Sequence, residues 1–300
     1  MVMRNSHELI TNAWKAKTAI PAFNIPYLPM MAPVVKAIRD TNCFGFIAVA
    51  RLEWVKFEAR GIQEIFNEYQ CVKDEKYTRL HLDHIPVIDE NGLKVGYEAI
   101  IKQGLLIGYQ SVMLDGSRLP LEENIKATKK IVDLAHAAGI PVEGEVGAVF
   151  GHEQGPLPSY DELFLSGKGF TDPDEARQFV TETNVDWLSV AIGNIHGAIS
   201  GIARNVKKIE SKLDIRHLQK ITKAVSVPIV LHGGSGIRKE YLLAGVKNGI
   251  AKINIGTTIR QEYEKFQKES VPDAQKAVYK KTVEVIEELE INESVEMVNS

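Results

Sequence analysis

Short apolar, β-branched runs alternate with amphipathic segments of helical period along most of the chain, and this alternation restricts the choice of fold more than any other feature. It predicts strands at residues 19–24, 44–50, 78–83, 111–114, 141–146, 186–192, 228–232 and 251–255. Helices are predicted at about 29–40, 54–69, 95–106, 120–138, 173–183, 215–224, 238–248 and 257–290. Strands that alternate with helices are typical of βαβ units and a parallel sheet.

The length of 300 residues fits either two domains of about 150 residues or one barrel of about 250 residues. No Ser-, Gly- or Pro-rich linker interrupts the middle of the chain, and eight strands that are each followed by a helix match a barrel better than two doubly wound domains. We therefore predict the α/β class and a (β/α)8 TIM barrel, with residues 1–300 as one domain. Its core would cover about 18–265, and a helical C-terminal extension about 266–300.

The charge balance argues against nucleic-acid binding. The chain has 36 Lys and Arg against 39 Asp and Glu, a net charge of -3, whereas nucleic-acid-binding domains usually present a strongly basic surface.

No apolar stretch is long enough for a membrane span, and the first residues lack the apolar core of a signal peptide. With only Cys43 and Cys71, no disulfide framework is expected. We expect a cytoplasmic protein.

One segment departs from the alternation. Between Val146 and Thr171 the sequence is rich in Gly and Pro and is too long for an ordinary βα turn. Long irregular loops within compact domains are usually functional or mobile, so we interpret this segment as a candidate lid over a site.

Polar clusters occur at the carboxyl ends of six predicted strands, which is where active sites of such barrels lie. The clusters are HLDH at 81–84, LDGS at 114–117, EGEVG at 143–147, IGNIHG at 192–197, LHGGSG at 231–236 and NIGT at 254–257. Each is weak evidence alone, because a single strand-end histidine is more often a hydrogen-bonded structural residue than a ligand. Strand ends around a barrel converge on one pocket, however, and this convergence indicates a common function.

Three histidines, His84, His196 and His232, come from three different strand ends. A catalytic zinc site with three protein ligands and one open position needs this arrangement, so we predict zinc or a similar divalent ion. His81 alternates with Asp83 along its strand, and both side chains can face the barrel interior, with His84 at the break between strand and loop. We interpret His81 as a packed or supporting imidazole. Histidines expected at the surface are His7, His136 and His217.

Two glycine-rich stretches follow the seventh and eighth strands, where barrels commonly bind phosphate through backbone N–H groups and a helix N-terminus. They are Gly233-Gly234-Ser235-Gly236 and Gly256-Thr257-Thr258. Two tight βα turns without a ligand are the alternative interpretation.

Taken in order, these motifs resemble class II, metal-dependent ketose-bisphosphate aldolases, the family that contains the fructose- and tagatose-bisphosphate aldolases. The matching blocks follow Ala22-Phe23-Asn24 and are HLDH at 81–84, VMLDGSRLPLEEN at 112–124, VEGEVG at 142–147, VAIGNIHG at 190–197, VLHGGSG at 230–236 and KINIGTTIR at 252–260. The resemblance implies reversible retro-aldol cleavage of a ketose 1,6-bisphosphate, of fructose or tagatose type, or of a related ketose 1-phosphate. The products would be dihydroxyacetone phosphate and an aldehyde.

The resemblance also implies which residues bind the metal. Zn²⁺ would be held by His84, His196 and His232, with Asp115 and Glu145 as alternate or second-site contacts. A monovalent cation, Na⁺ or K⁺, would lie beside the substrate phosphate. The partner would be a small sugar phosphate, and the resemblance favours a homodimer or homotetramer.

Catalytic and substrate-binding roles follow from the same resemblance. Asp83 would be the base for the C4 hydroxyl proton of the ketose, and Glu153, in the long loop, would be the mobile acid that exchanges the C3 proton. Positions that would bind substrate are Asn24, Arg51, Gly197, Gly233, Gly234, Ser235, Asn254, Gly256 and Thr257.

The second predicted strand departs from the family pattern. Family members usually carry Gln and then Ser or Thr near its end, where the hydroxyl helps to hold the distal phosphate, whereas this chain has Ala48-Val49-Ala50-Arg51. Arg51 can supply a charge-assisted contact instead. Gly256 stands where fructose-type enzymes tend to carry Asp or Asn, and Ile85 replaces a common Gly. We interpret the chain as a divergent member of the family. Both a phosphate and a group without phosphate stay open as the distal part of its substrate.

Alternatives to an aldolase stay open at this point. A catalytically silent paralogue that binds sugar phosphates or stabilises a partner is consistent with the altered second strand. A metal-dependent isomerase or hydrolase would keep the zinc without the aldol step. Lys252, on the eighth strand, is a weaker alternative as a Schiff-base nucleophile. The Lys- and Glu-rich stretch at 262–290 is most simply a solvated helix face, with a subunit contact as the alternative.

Overall fold

Eight parallel strands form a closed barrel in sequence order, and the last strand pairs with the first. This computed structural model describes residues 4–150, 159–196 and 210–300. The strands are β1 Ile20–Asn24, β2 Gly45–Ala50, β3 Thr78–Pro86, β4 Ser111–Asp115, β5 Val142–Val146, β6 Trp187–Val190, β7 Ile229–Leu231 and β8 Ile250–Ile255. The (β/α)8 fold is confirmed, and each strand overlaps the segment that the alternation predicts.

Helices cover the outside of the barrel and its N-terminal end. In the described ranges they are α1 Ser6–Ala16, α2 Met31–Asp40, α3 Arg51–Val55, α4 Ile62–Val72, α5 Tyr97–Ile107, α6 Leu121–His136, α7 Tyr160–Ser166, α8 Pro173–Thr183, α9 Ile215–Ala224, α10 Lys239–Lys247, α11 Thr257–Phe266, α12 Val271–Glu288 and α13 Val295–Asn299, with a 3₁₀ turn at Leu28–Met30. None of them combines the length and the apolarity that a membrane-spanning helix needs.

Two long helices that the sequence predicts are each divided in two. The prediction at 54–69 is wrong because the backbone breaks after α3, where Arg60 has a positive φ of 68° and Glu58 N donates to Pro26 O at 3.0 Å. The prediction at 257–290 is wrong because the chain turns after Phe266, and α12 restarts with Ser270 as its N-cap and a proline in its first turn.

The sequence prediction missed helix α1, which seals the N-terminal end of the barrel. Asn5 and Glu8 form a capping box, in which each side chain accepts a hydrogen bond of 2.9 Å from the backbone N–H of the other residue. The buried residues of α1 join α13 and the inward-facing barrel residues in one cluster. Its main members are Leu9, Ile10, Ala13, Ile20, Ala22, Phe44, Phe46, Trp187, Val230, Val295 and Val298.

Ile10→Ala is expected to lower the free energy of unfolding by about 2–5 kcal/mol, because the side chain is fully buried in this cluster and leaves a cavity. Urea unfolding followed by circular dichroism measures the change. Lys15→Ala, at an exposed position of the same helix, is the control and should change stability by less than about 0.5 kcal/mol. An equally small effect of Ile10→Ala would show that α1 does not seal the barrel.

A second apolar cluster lies between the strands and the surrounding helices. α12 packs against α2 and α11, and its Val278 and Ile286 are fully buried in this cluster. The predicted C-terminal extension therefore shares the apolar core of the barrel.

Candidate active site

A β-bulge in β3 directs two adjacent polar side chains to one cavity. The pairing with β4 moves from Leu82 opposite Val112 to Ile85 opposite Leu114, so that Asp83 and His84 together face a single residue. His84 has a positive φ of 34°. Successive strand residues normally point to opposite faces, and the bulge removes that restriction. The expectation that His84 lies at the break between strand and loop is wrong, because β3 continues to Pro86.

A cavity of about 110 Å³ lies at the carboxyl ends of the strands, next to this bulge. Most of the positions that the sequence predicts as functional line it. These are Asn24, Asp83, His84, His196, His232, Gly233, Ser235, Asn254, Gly256 and Thr257. The barrel therefore brings together residues from β1, β3, β6, β7 and β8 that are far apart in the sequence.

The three predicted metal ligands lie close together in this cavity. The ring centroids of His84 and His232 are 4.3 Å apart, and that of His196 is 5.1 Å from His84 and 6.1 Å from His232. One ligand atom each of Asp83, His84 and His232 lies within 4.8 Å of the others. Among the residues that the structure describes, His196 belongs to no group this tight.

The surroundings of His84 fit a bound cation. Its Nδ1 lies 3.3 Å from Asp115 Oδ2, while its Nε2 is buried and has no hydrogen-bond partner in the described ranges. Burial lowers the pKa of His84, but Asp83 and Asp115 raise it to about 10. Burial and Asp115 raise the pKa of Glu145 to about 8. Positive charge is thus favoured where these carboxylates meet, and imidazole with carboxylate is a donor set that suits zinc.

Asp83 is fully buried and held in a fixed orientation. Its Oδ2 accepts hydrogen bonds of 2.9 Å from both Asn24 Nδ2 and Asn254 Nδ2, and its Oδ1 is 3.5 Å from His81 Nε2. Burial raises the pKa of Asp83, but the charges of His84 and the contact with His81 outweigh it and hold the pKa well below its ordinary value. The carboxylate is therefore ionised at neutral pH.

A buried ionic network inside the barrel lies next to the cavity and contacts His232. Glu143 accepts hydrogen bonds from His232 Nε2 at 2.6 Å, Trp187 Nε1 at 2.7 Å and Lys252 Nζ at 2.8 Å. Burial raises the pKa of Glu143, but Lys252 and His232 bring it down to about 2. Because Glu143 occupies Nε2 of His232, Nδ1 is the remaining ring nitrogen that can bind a metal. The ion pair of Lys252 weighs against a role as a Schiff-base nucleophile.

Lys252→Met is expected to lower the free energy of unfolding by about 3–5 kcal/mol, because it leaves the buried carboxylate of Glu143 without its cationic partner. Chemical denaturation measures the difference. Lys102→Met, at an exposed position of α5, is the matched control. If both variants were equally stable, the ion pair would contribute nothing to the fold.

The two glycine-rich loops pack against each other beside the start of α11. Gly233 has a φ of 64°, and a Cβ there would lie 2.1 Å from Ile195 O, so only glycine fits. Ser235 Oγ accepts a hydrogen bond from Thr258 N at 3.2 Å, which ties the β7 loop to the first turn of the ten-residue helix α11. The cavity thus contains a helix N-terminus, which favours anions.

Some predicted positions lie outside this cavity lining. Arg51 Nη1 is 3.8 Å from Asp89 Oδ2, and Gly234 N donates to Asn254 O behind the lining. Asp115 and Glu145 line a neighbouring cavity that shares His84 and His196 with the first. The remaining two positions, Glu153 and Gly197, are outside the described residues.

Sequence reasoning missed Glu53 and Arg260, which also line the cavity. Arg260 follows Thr257 by one helical turn, and that spacing is a usable signal for a shared helix face. Its Nη1 donates to Glu264 Oε2 at 2.6 Å. Glu53 is the third residue of α3, and its side chain turns back to accept a 2.6 Å hydrogen bond from Ala50 N at the N-cap, at the end of β2.

Comparisons with known proteins agree with this geometry. The family model described as fructose-bisphosphate aldolase class-II matches residues 4–300. A fructose-bisphosphate aldolase of Streptococcus pneumoniae serotype 4 is 42% identical over 180 residues, 59% of this chain and 52% of that protein. The chain thus matches about half the length of that relative. A 6-phospho-5-dehydro-2-deoxy-D-gluconate aldolase of Shouchella clausii is 36% identical over 255 residues, 83% of this chain and 77% of that protein.

A solved structure supports the same assignment. The crystal structure of the YdjI aldolase from Escherichia coli K12 superposes with a TM-score of 0.75 at 27% identity, and the match covers 97% of this chain and 98% of that one. The family match over nearly the whole sequence and the shared barrel confirm the resemblance inferred from the motifs. The chain belongs to the class II fructose-bisphosphate aldolase family.

Proposed function

We propose that this protein is a metal-dependent aldolase. It would reversibly cleave a ketose 1,6-bisphosphate of fructose or tagatose type, or a related ketose 1-phosphate, to dihydroxyacetone phosphate and an aldehyde. The observation that carries the proposal is the convergence of Asp83, His84 and His232 in one cavity with the N-terminus of α11. The names of the relatives support it, since one refers to a bisphosphate and the other to a substrate with one phospho group.

We propose zinc as the resident metal, held by His84, His196 and His232, with Asp115 and Glu145 as alternate contacts. The close group of ligand atoms and the buried Nε2 of His84 support this assignment. When bound, the ion would act as a Lewis acid toward the ketose oxygens.

Asp83 would take the proton of the C4 hydroxyl when the C3–C4 bond breaks. The amide groups of Asn24 and Asn254 hold its Oδ2 and keep the carboxylate in one orientation. A base held in one orientation loses little entropy on reaching the transition state. Glu153 remains our candidate for the residue that exchanges the C3 proton.

The 1-phosphate would bind at the first turn of α11, against Gly233, Ser235 and Thr257. The helix dipole and the closely packed glycine loops support that placement. We propose that Gly197 contributes to the same site and that Na⁺ or K⁺ lies beside the phosphate. We also propose that the protein is cytoplasmic and forms a homodimer or a homotetramer. Light scattering on the purified protein distinguishes the dimer from the tetramer.

The main competing function is a catalytically silent binding protein. The fixed, ionised Asp83 beside two imidazoles favours an active enzyme, because a protein that only binds sugar phosphates has no need of a positioned base. A hydrolase with the same metal would not exchange the C3 proton of dihydroxyacetone phosphate with solvent, whereas an aldolase would; an isomerase would release no dihydroxyacetone phosphate from a hexose phosphate.

An enzymatic assay tests the proposal. The zinc-loaded protein is incubated with the 1-phosphates and the 1,6-bisphosphates of fructose and tagatose, and release of dihydroxyacetone phosphate is followed with a coupled dehydrogenase. We expect metal-dependent release from at least one of these ketoses. No release from any of them, together with no C3 exchange, would exclude the aldolase.

A further inference from the structure

A carboxyl group occupies the side of the cavity that lies next to the end of β2. Glu53, in the first turn of α3, lines the cavity with Asn24, Asp83 and Ala50. The side chain is buried, with 7% of the residue exposed. Ala48 and Ala50 precede it on β2, and neither offers a hydroxyl group to a ligand. The polar group that β2 and α3 present to the cavity is therefore an acid.

A hydrogen bond fixes the position of this acid. Glu53 Oε2 accepts a 2.6 Å hydrogen bond from Ala50 N, and the nearby side chain of Asn24 lowers the pKa of the carboxyl group. The same Asn24 amide donates to Asp83 Oδ2 at 2.9 Å. Glu53 and Asp83 thus line one cavity, and a substrate whose C4 hydroxyl reaches Asp83 can place its following carbons near Glu53.

We propose that Glu53 determines the aldehyde specificity of this enzyme: it selects an aldehyde portion that carries hydroxyl groups and no phosphate, so that the preferred substrates are ketose 1-phosphates. This inference rests on the proposed aldolase function. A carboxyl oxygen that is held in place accepts hydrogen bonds from hydroxyl groups well, whereas a phosphate offers it only further negative charge.

Three positively charged side chains near this acid are already paired with other acids. Arg51 faces Asp89 at 3.8 Å, and Lys56 Nζ is 3.3 Å from Glu90. Arg260 is paired with Glu264 and stands one turn beyond Thr257. Its guanidinium group lies 5.2 Å from the ring centroid of Phe57, which follows α3, and Glu264 already balances its charge.

Burial favours the neutral form of Glu53, and hydroxyl groups suit that form as well as the ionised one. Loss of solvent raises the pKa of Glu53 well above its ordinary value, and the nearby charge of Asp83 raises it further. A phosphate dianion at this place would face a like charge on the ionised acid, or it would require the carboxyl group to keep its proton. A chain of hydroxyl groups meets neither cost, because it donates hydrogen bonds to the acid in either form.

The test compares matched substrates that differ only in the distal phosphate. kcat/KM is measured for fructose 1-phosphate against fructose 1,6-bisphosphate, and for the corresponding tagatose pair. In the wild-type protein we expect the 1-phosphate to be preferred by about 100-fold, the size of a like-charge penalty of a few kcal/mol. Glu53→Gln keeps an oxygen that can accept the hydrogen bond from Ala50 N. This variant should reduce the preference for the 1-phosphate over the bisphosphate at least about tenfold, mainly through a lower KM for the bisphosphate.

Glu64→Gln, at an exposed position of α4, is the matched control and should leave the ratio unchanged. A wild-type preference for the bisphosphate, or a ratio that Glu53→Gln does not alter, would overturn the inference while the aldolase function stands. If the variant does not fold, the wild-type ratio alone decides. Absence of cleavage of all four ketoses would instead reject the proposed function, and the inference with it.

Discussion

Asp83→Asn is expected to lower kcat for ketose cleavage by about 10²–10⁴-fold, the usual contribution of a positioned general base. The amide of Asn has nearly the shape of the carboxylate and can keep its contacts with Asn24 and Asn254, but it cannot take the C4 hydroxyl proton. Steady-state kinetics on the best ketose of the panel measures the effect. Because the C3 proton is assigned to another residue, exchange of that proton in dihydroxyacetone phosphate should persist.

The control for this variant is Asp133→Asn, at an exposed position of α6, which should keep the wild-type kcat. Circular dichroism and thermal unfolding of both variants separate a catalytic effect from a folding effect. Full activity of a folded Asp83→Asn protein would mean that another group accepts the hydroxyl proton.

His84→Ala is expected to reduce bound zinc from about one ion per chain to a small fraction and to lower kcat/KM by at least about 10³-fold. The reason is that His84 belongs to two of the three close groups of ligand atoms in the described residues, the one with Asp83 and His232 and the one with Asp115 and Glu145. Elemental analysis of the purified variant gives the metal content independently of activity.

His136→Ala is the matched control for the metal measurement. His136 Nε2 lies 2.8 Å from Asp186 Oδ2 on the outside of the barrel, so its loss should leave both zinc content and turnover unchanged. Zinc at wild-type stoichiometry in His84→Ala would place the metal elsewhere.

The strands were predictable because each one is a short apolar, β-branched run between turn signals. The convergence of His84, His196 and His232 followed from the rule that strand ends of a barrel meet at one face. Helix α1 was missed because its residues were interpreted as an N-terminal tail, although Asn5 and Glu8 have the spacing of a capping box.

The sequence prediction missed two features of the site. The bulge at Asp83 and His84 depends on the pairing between β3 and β4, and pairing is a property of two segments that are distant in the chain. The inward position of Glu53 depends on one hydrogen bond to Ala50 N, which an acid in a first helical turn usually exchanges for solvent. The bulge comes from a tertiary contact and the position of Glu53 from a local contact between an N-cap residue and N3, and both determine what the cavity can bind.

Removal and return of the metal test the central claim most directly. The purified protein is treated with a chelator, dialysed, and assayed for release of dihydroxyacetone phosphate from the preferred ketose before and after zinc is added back. We predict that turnover falls by at least about 10³-fold and returns with about one equivalent of zinc per chain. Turnover that survives complete loss of metal would contradict a class II mechanism in this cavity.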